Sequence, residues 1–139
     1  MSAFNNAKKF FEACETGQGW EGCKEYVENG ATFTGQADAV SELDTVESYT
    51  EFMKNICNGP LAGATYTVHA ESFDENTRTA MFFGTFHATH VGEGAPIPPT
   101  NKKTNTHYVY TLKISDNDKV EEMTKIWNDS WCFRELGWA

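Results

Sequence analysis

Two segments decide the fold: RTAMFFGTFHATH at residues 78–90 and TNTHYVYTLKI at residues 104–114. Apolar and polar side chains alternate along both segments, which is the period of a β-strand with one face on a core. The same alternation over residues 65–73, and again from residue 120 to about residue 133, predicts two further long strands. The second half of the chain is therefore expected to form a four-stranded sheet.

Short polar sequences separate these strands. Residues 74–76 (DEN) and 116–118 (DND) are typical of hairpin turns, so neighbouring strands are predicted to pair antiparallel. The longer connection over residues 91–103 contains three prolines and two glycines, and we expect an irregular loop at the mouth of the sheet.

The first half of the chain has helical spacing instead. Residues 3–15 carry an apolar stripe at helical intervals, and residues 20–27 repeat the spacing in a shorter helix that Gly30 would stop. After a brief predicted strand at residues 31–35, Asp44 is expected to open a third helix that ends before Gly59.

The length of the predicted strands indicates the overall shape of the fold. A strand of roughly a dozen residues is about twice the usual length, and an antiparallel sheet of such strands must twist and coil strongly. We therefore predict an α+β fold in which a cone-shaped, curved antiparallel sheet packs on three N-terminal helices and encloses a pocket. With 139 residues and no linker or repeat, residues 1–139 are expected to form one domain.

Composition excludes several classes of function. Eleven basic and twenty acidic side chains give a net charge of -9, which argues against nucleic acid and anionic membranes as partners. The first residues lack the order of a secretory signal, so a cytoplasmic location is predicted. The four cysteines form no C-x-x-C pair, and neither a metal nor a cofactor site is expected.

Several short motifs resemble one known family. The segments GTFHATHVGE at residues 84–93 and PPTNKK at residues 98–103 resemble the G-T-H-T-G-E and P-P-T-G-K-R segments of SnoaL-like polyketide cyclases. Near the end of the chain, KVEE at residues 119–122, WND at 127–129 and RELG at 134–137 are similar to the family's K-I-V-E, W-D and R-Q-L-G.

The resemblance implies a fold and a chemistry. These cyclases belong to the nuclear transport factor 2-like superfamily, whose members are α+β cones with a deep pocket that usually dimerise through the outer face of the sheet. In the cyclases an aspartate follows the tryptophan of the last strand and acts as the acid/base. Here Asn128 holds that position and Asp129 follows it. Either a bulge or register shift turns Asp129 inward, or an amide has replaced the acid/base.

Strand parity offers two candidate faces. Asp129 shares its parity with an apolar set, where poor solvation would raise the pKa of a carboxyl into a range useful for proton transfer. The apolar set is Phe82, Phe86, Tyr108, Tyr110, Leu112, Met123 and Trp127. The opposite face carries His87 and His107, predicted to be cross-strand neighbours beside Asn128, as a rival polar site.

Two functions remain open from the sequence. In the first, a cyclase-type pocket uses Asp129, or a water held by Asn128 and His107, to move a proton next to the carbonyl of an apolar or polyketide-like substrate. In the second, the protein binds a small ligand or another protein without catalysis, so the sequence does not decide whether it is an enzyme. The candidate ligand contacts are His87, Tyr108, Tyr110, Trp127, Trp131, Phe52 and Tyr26. A homodimer through the sheet face is expected.

Overall fold

The computed structural model describes residues 2–139 and contains four α-helices and five strands over that range. In chain order the elements are α1 (Ser2–Glu15), α2 (Gly19–Cys23), β1 (Val27–Gln36), α3 (Val46–Cys57), β2 (Thr65–Asp74), β3 (Thr79–Thr89), β4 (Lys103–Ile114), β5 (Val120–Trp127) and α4 (Asp129–Leu136). The predicted α+β class and the three N-terminal helices are confirmed.

The five strands form one mixed sheet in the order β1-β5-β4-β3-β2. Strands β2 to β5 pair antiparallel with their neighbours, as the hairpin turns predicted. Strand β1 is longer than the predicted residues 31–35 and pairs parallel with β5, so the expectation of a wholly antiparallel sheet was wrong at this edge. Because that pairing joins distant parts of the chain, no local turn sequence predicts it.

The helices cover one face of the curved sheet. Helix α1 buries the predicted apolar stripe, including Ala7, Phe10 and Cys14. Its Phe11 stacks on Phe82 of β3, with ring centroids 4.4 Å apart and planes 10° apart. Aromatic packing of this kind adds to the free energy gained by burying the rings, so α1 is firmly held against the middle of the sheet.

Two predicted helix boundaries were wrong. The second helix ends at Cys23 and continues as a 3-10 turn, and Val27 already belongs to β1. Helix α3 is capped by Thr45 rather than Asp44: the Thr45 hydroxyl accepts the Ser48 N–H at 3.1 Å, and the Ser48 hydroxyl accepts the Thr45 N–H. This reciprocal pair is a capping box, and it satisfies two backbone donors at the start of the helix.

The end of the sheet also differs from the prediction. Strand β5 stops at Trp127 rather than near residue 133, and α4 follows at once. The Asn128 side chain accepts the Trp131 N–H at 3.0 Å, so Asn128 is the N-cap of this helix. An asparagine followed by aspartate and serine is a helix-start signal. The strand-like spacing of the aromatic residues nearby led instead to the prediction of a longer strand.

None of the helices within residues 2–139 is long and apolar enough to cross a membrane.

Candidate ligand-binding and active site

A charged side chain lies inside the cone. Along β5, Met123, Lys125 and Trp127 point toward the helices, while the residues between them are more exposed. Lys125 is only 5% exposed. A buried ammonium group is costly unless it is paired and hydrogen-bonded, so its partners define the most unusual environment in the described part of the protein.

A chain of hydrogen bonds joins Lys125 to a buried carboxylate. The Lys125 Nζ donates to the Tyr49 hydroxyl at 2.7 Å, and the Tyr49 and Tyr110 hydroxyl oxygens are 2.7 Å apart. The Tyr110 hydroxyl in turn donates to Glu15, which is 2% exposed. These four residues, Lys125, Tyr49, Tyr110 and Glu15, are called the buried relay below, and they connect β5, α3, β4 and α1.

Aromatic rings surround the amine as well. The Nζ atom lies 4.6 Å from the ring centroid of Trp127 and 5.1 Å from that of Tyr49. The centroids of Tyr110 and Tyr108 are 5.5 and 5.6 Å away. Ring faces attract a cation most strongly where water is excluded, so the relay and the rings together offset part of the cost of burying the charge.

Burial shifts the two ends of the relay in opposite directions. Removal from water lowers the pKa of Lys125, and the nearby Glu15 charge opposes that shift. Removal from water also raises the pKa of Glu15, opposed by the charge of Lys125 and by the hydroxyls of Tyr110 and Tyr108. The two shifts narrow the gap between the pKa of the amine and that of the carboxyl, which favours proton transfer between them.

Lys125 forms part of the wall of a small apolar cavity, called the inner cavity below. Its lining is completed by Phe52, Met53 and Ile56 of α3, by Leu61, and by Phe86, Tyr108 and Trp127 of the sheet. The empty space between these side chains is about 310 Å³, and little of it is wide enough for a water molecule. A ligand must therefore displace side chains in order to enter.

Tyr108 brings an unpartnered polar group to this wall. Its side chain is buried, and its hydroxyl makes no hydrogen bond of normal geometry among the described residues, although the Glu15 carboxylate is close enough to raise the pKa of this hydroxyl further than burial does alone. The ring fits beside Gly84 of β3, where an added Cβ would lie 2.9 Å from the hydroxyl oxygen. A buried hydroxyl without a partner is costly, and it is therefore a candidate to donate a hydrogen bond to a bound ligand.

The side chains of Phe52 and Ile56 also separate the inner cavity from a second space. An outer groove with an empty volume of about 470 Å³ lies between α3 and the irregular loop at the mouth of the sheet. Its lining consists of Phe52, Asn55, Ile56, Pro60, Gly94, Ala95, Pro96 and Trp138. Both half-buried side chains line both spaces, so the groove and the inner cavity adjoin at Phe52 and Ile56.

The structure places four of the predicted contacts at this site. Phe52, Tyr108 and Trp127 line the inner cavity, and Tyr110 lies behind it in the buried relay. Tyr26 belongs to the 3-10 turn before β1 and lines a separate surface groove with residues of α1. It does not contribute to the inner cavity.

The three predicted catalytic residues lie elsewhere. Asp129 is the first residue of α4, and its carboxylate accepts the Ala39 N–H at 2.8 Å at the edge of an open groove. His107, Asn128 and Trp131 line another pocket together with Asn105 and Thr106, and Asn128 also borders the open groove. None of these four side chains lines the inner cavity.

The predicted histidine pair is arranged differently from the expectation. His87 lies opposite Asn105, and its ring nitrogens contact the Thr67 hydroxyl at 2.8 Å and the Asn105 side chain at 2.7 Å. His107 lies opposite Thr85, so the two histidines are not direct cross-strand neighbours. The Thr85 hydroxyl instead bridges His107 and His69 at 2.8 and 2.6 Å.

Sequence reasoning missed Lys125 and Glu15, although each left a signal. Lys125 stands between Met123 and Trp127 at the parity assigned to the inner face. Glu15 follows Phe11 by four residues on the buried stripe of α1. Among residues 2–139, no three His, Cys, Asp or Glu side chains are grouped in a way that would hold a metal ion.

Solved structures resemble this chain in fold, whereas no family model or curated sequence matches it. These structures match over nearly its whole length, and several are SnoaL-like polyketide cyclases. The chain therefore shares the fold of these structures, as the motifs predicted.

Three of these structures have a TM-score of 0.77. AclR from Streptomyces galilaeus, assigned as a hydroxylase, is 17% identical and is matched over 99% of this chain and 85% of its own. IdmH from Streptomyces antibioticus, assigned as a polyketide cyclase, is 15% identical, with 97% and 98% covered. A SnoaL-like polyketide cyclase from Jannaschia sp. CCS1 is 12% identical, with 97% and 91% covered. At these identities the likeness defines the fold alone.

Proposed function

We propose that this protein binds an apolar, carbonyl-containing small molecule in the inner cavity and moves a proton next to the carbonyl. The observation that carries the proposal is the buried Lys125 amine, which forms part of an apolar cavity wall and is linked to Glu15 by consecutive hydrogen bonds. Perturbed titratable groups in a water-poor cavity are typical of sites that transfer protons.

The site contains the two groups that enolisation needs. A neutral Lys125 amine can take the proton from the carbon beside the carbonyl and act as the general base. The unpartnered Tyr108 hydroxyl is a donor for the oxygen on which negative charge develops. Enolisation precedes both isomerisation and intramolecular aldol cyclisation, so the same base and hydrogen-bond donor could serve either reaction.

The structural neighbours are compatible with this class of reaction without choosing one. IdmH and the Jannaschia protein are assigned as polyketide cyclases, whereas AclR is assigned as a hydroxylase. SalBIII, with a TM-score of 0.68 and 12% identity, is an epoxide hydrolase/cyclase-like enzyme in pyran ring formation. Because one fold supports several reactions, the substrate class is inferred from the apolar lining and the buried amine.

Methyl resonances of the methionines provide the test of binding. Met53 lines the inner cavity, whereas Met81 is 39% exposed on the far face of the sheet and serves as an internal control. In protein labelled with [13C]methyl-methionine, titration with cyclohexanone is expected to shift the Met53 resonance with saturation and leave Met81 unchanged. A shift at Met81 alone, or at neither methionine, would contradict the proposal.

A second candidate function keeps the acid/base at Asp129, as the resemblance to the cyclases suggests. Its support is that the Asp129 side chain is nearly buried and borders an open groove of about 950 Å³ that also includes Asn128 and Trp127. In this alternative the ligand lies in the open groove. Binding without catalysis is the remaining alternative, and it predicts ligand saturation with no turnover.

We also propose a homodimer through the outer sheet face. An apolar row of Phe83, Val109 and Ile126 crosses β3, β4 and β5 in register. Phe83 is 40% exposed and Ile126 is 52% exposed, so the row is open to a partner. Sedimentation of Phe83→Lys is expected to show a monomer at concentrations where the parent chain is dimeric. Val91→Lys, an exposed loop position, is the matched control.

A further inference from the structure

We propose that Lys125 is the nucleophile of the inner cavity and binds aldehydes and ketones covalently as an imine. This inference rests on the proposed carbonyl-binding function: the neutral amine attacks the carbonyl carbon instead of taking the proton from the carbon beside it, and the resulting iminium ion would make that proton more acidic. Lys125 is the one buried lysine among the described residues, and all the others are exposed or half-exposed. A lysine desolvated in a hydrophobic pocket is the form of this side chain that attacks carbonyl carbons.

The buried relay explains how the amine becomes neutral without contact with water. In the charged state the Lys125 ammonium donates to Tyr49, Tyr49 donates to Tyr110, and Tyr110 donates to Glu15. If each of these three bonds passes one proton along, the amine becomes neutral and Glu15 becomes a carboxylic acid. Both tyrosines end as intact phenols, and all three hydrogen bonds persist with their donors reversed.

The covalent step balances without another reactant. The Nζ lone pair forms the carbon–nitrogen bond while the π electrons of the carbonyl move to its oxygen. Two amine hydrogens then leave with that oxygen as one water molecule, which gives the imine. The imine nitrogen can take back the proton held on Glu15 through the same three hydrogen bonds, which gives the iminium ion.

No other group that faces the amine competes with Glu15 as the proton acceptor. The titratable neighbours are Glu15 and Cys14 of α1, Tyr49 and Cys57 of α3, Tyr108 and Tyr110 of β4, and Cys132 of α4. Burial raises the pKa of Cys14, Cys57 and Cys132. It also raises the pKa of the three tyrosines. These thiols and phenols therefore stay protonated, and only the carboxylate can accept the proton.

Reductive trapping tests the inference. The full chain is incubated with cyclohexanone and sodium cyanoborohydride at neutral pH, and the alkylated lysines are then located by peptide mass spectrometry. We expect Lys125 to be modified about tenfold more than any exposed lysine. Alkylation confined to exposed lysines would overturn the imine. If the Met53 resonance still saturates in that case, the binding proposal survives; if it does not, both fail.

The variant Tyr49→Phe tests the relay and keeps Lys125 in place. It removes the hydroxyl that accepts from Nζ, so trapping at Lys125 is expected to fall about tenfold at neutral pH and to recover as the pH rises. Recovery is expected because the amine can then lose its proton to solvent. Trapping that is unchanged by Tyr49→Phe at neutral pH would show that the relay has no role. Thr50→Ser, on the same helix, is the control for folding.

Discussion

Two residues inside the cone, Lys125 and Glu15, have charges that folding removes from water. Burial raises the pKa of Glu15 above its ordinary 4.5 and lowers the pKa of Lys125 below its ordinary 10.5. Above pH 4.5 the unfolded chain releases the Glu15 proton and the folded protein keeps it, so the free energy of unfolding falls as pH rises. As the pH approaches 10.5, the folded protein has lost the Lys125 proton and the unfolded chain still holds it, so the free energy of unfolding rises again.

The double variant Glu15→Gln/Lys125→Met removes both titrations and tests this linkage. Subtracting its free energy of unfolding from that of the parent chain, pH by pH, is expected to give a curve with a minimum between the two ordinary pKa values. Urea titrations across that range supply the data. A difference that does not vary with pH would mean that the pair is not perturbed by folding.

Two tyrosines on one strand are predicted to respond oppositely to loss of the hydroxyl. Tyr110→Phe breaks two buried hydrogen bonds and is expected to lower the free energy of unfolding by about 1–3 kcal/mol. Tyr108→Phe removes a hydroxyl that has no partner, so stability should be unchanged or slightly higher. Urea unfolding measures both variants, and equal losses in the two would contradict the assignment of partners. Tyr108→Phe should also weaken the binding of cyclohexanone.

At the scale of elements, helix α4 depends on its first residues. Asn128→Ala removes the side chain that accepts the Trp131 N–H and is expected to cost about 1 kcal/mol of stability. Ser130→Ala, at an exposed position in the same helix, is the matched control and should cost little. Binding of cyclohexanone should be unchanged in both, because neither residue lines the inner cavity. Lost binding in Asn128→Ala alone would indicate that the ligand site extends to α4.

The elements also show where sequence reasoning succeeded and where it failed. Period-two alternation identified β2, β3 and β4 because their inner faces are apolar and their outer faces are mostly polar, apart from the apolar row that includes Phe83 and Val109. The same rule extended β5 too far, since Trp127, Trp131 and Phe133 are spaced as in a strand, but Trp131 and Phe133 lie beyond the helix cap at Asn128. The parallel pairing of β1 depends on tertiary contacts between distant segments, which local patterns do not encode.

The candidate site was predicted only in part, for a related reason. Tyr108 and Trp127 were found because apolar parity places aromatic residues on the inner face. Lys125 has the same parity, but a lysine is rarely buried unless it is paired. Its partners come from three other elements, α1, α3 and β4, whose packing a single sequence does not reveal. The resemblance to the cyclases predicted the acid/base within residues 127–129 instead.

For the whole molecule, we propose that proton transfer takes place in the inner cavity, at Lys125, rather than at Asp129. The cone brings the buried relay to one wall of that cavity and leaves Asp129 at the start of α4, bound to the Ala39 N–H. The two sites therefore make separable predictions. Asp129→Asn keeps an oxygen that can accept this N–H, whereas Lys125→Met removes the amine.

Exchange of the α-protons of cyclohexanone in deuterated water, followed by proton NMR, distinguishes the two sites. We expect exchange faster than the uncatalysed rate with the parent chain and with Asp129→Asn. We expect a loss of at least about a hundredfold, the usual contribution of a general base, with Lys125→Met and with the charge-neutral double variant Glu15→Gln/Lys125→Met. Exchange that persists without Lys125 and disappears in Asp129→Asn would assign the proton transfer to Asp129 instead.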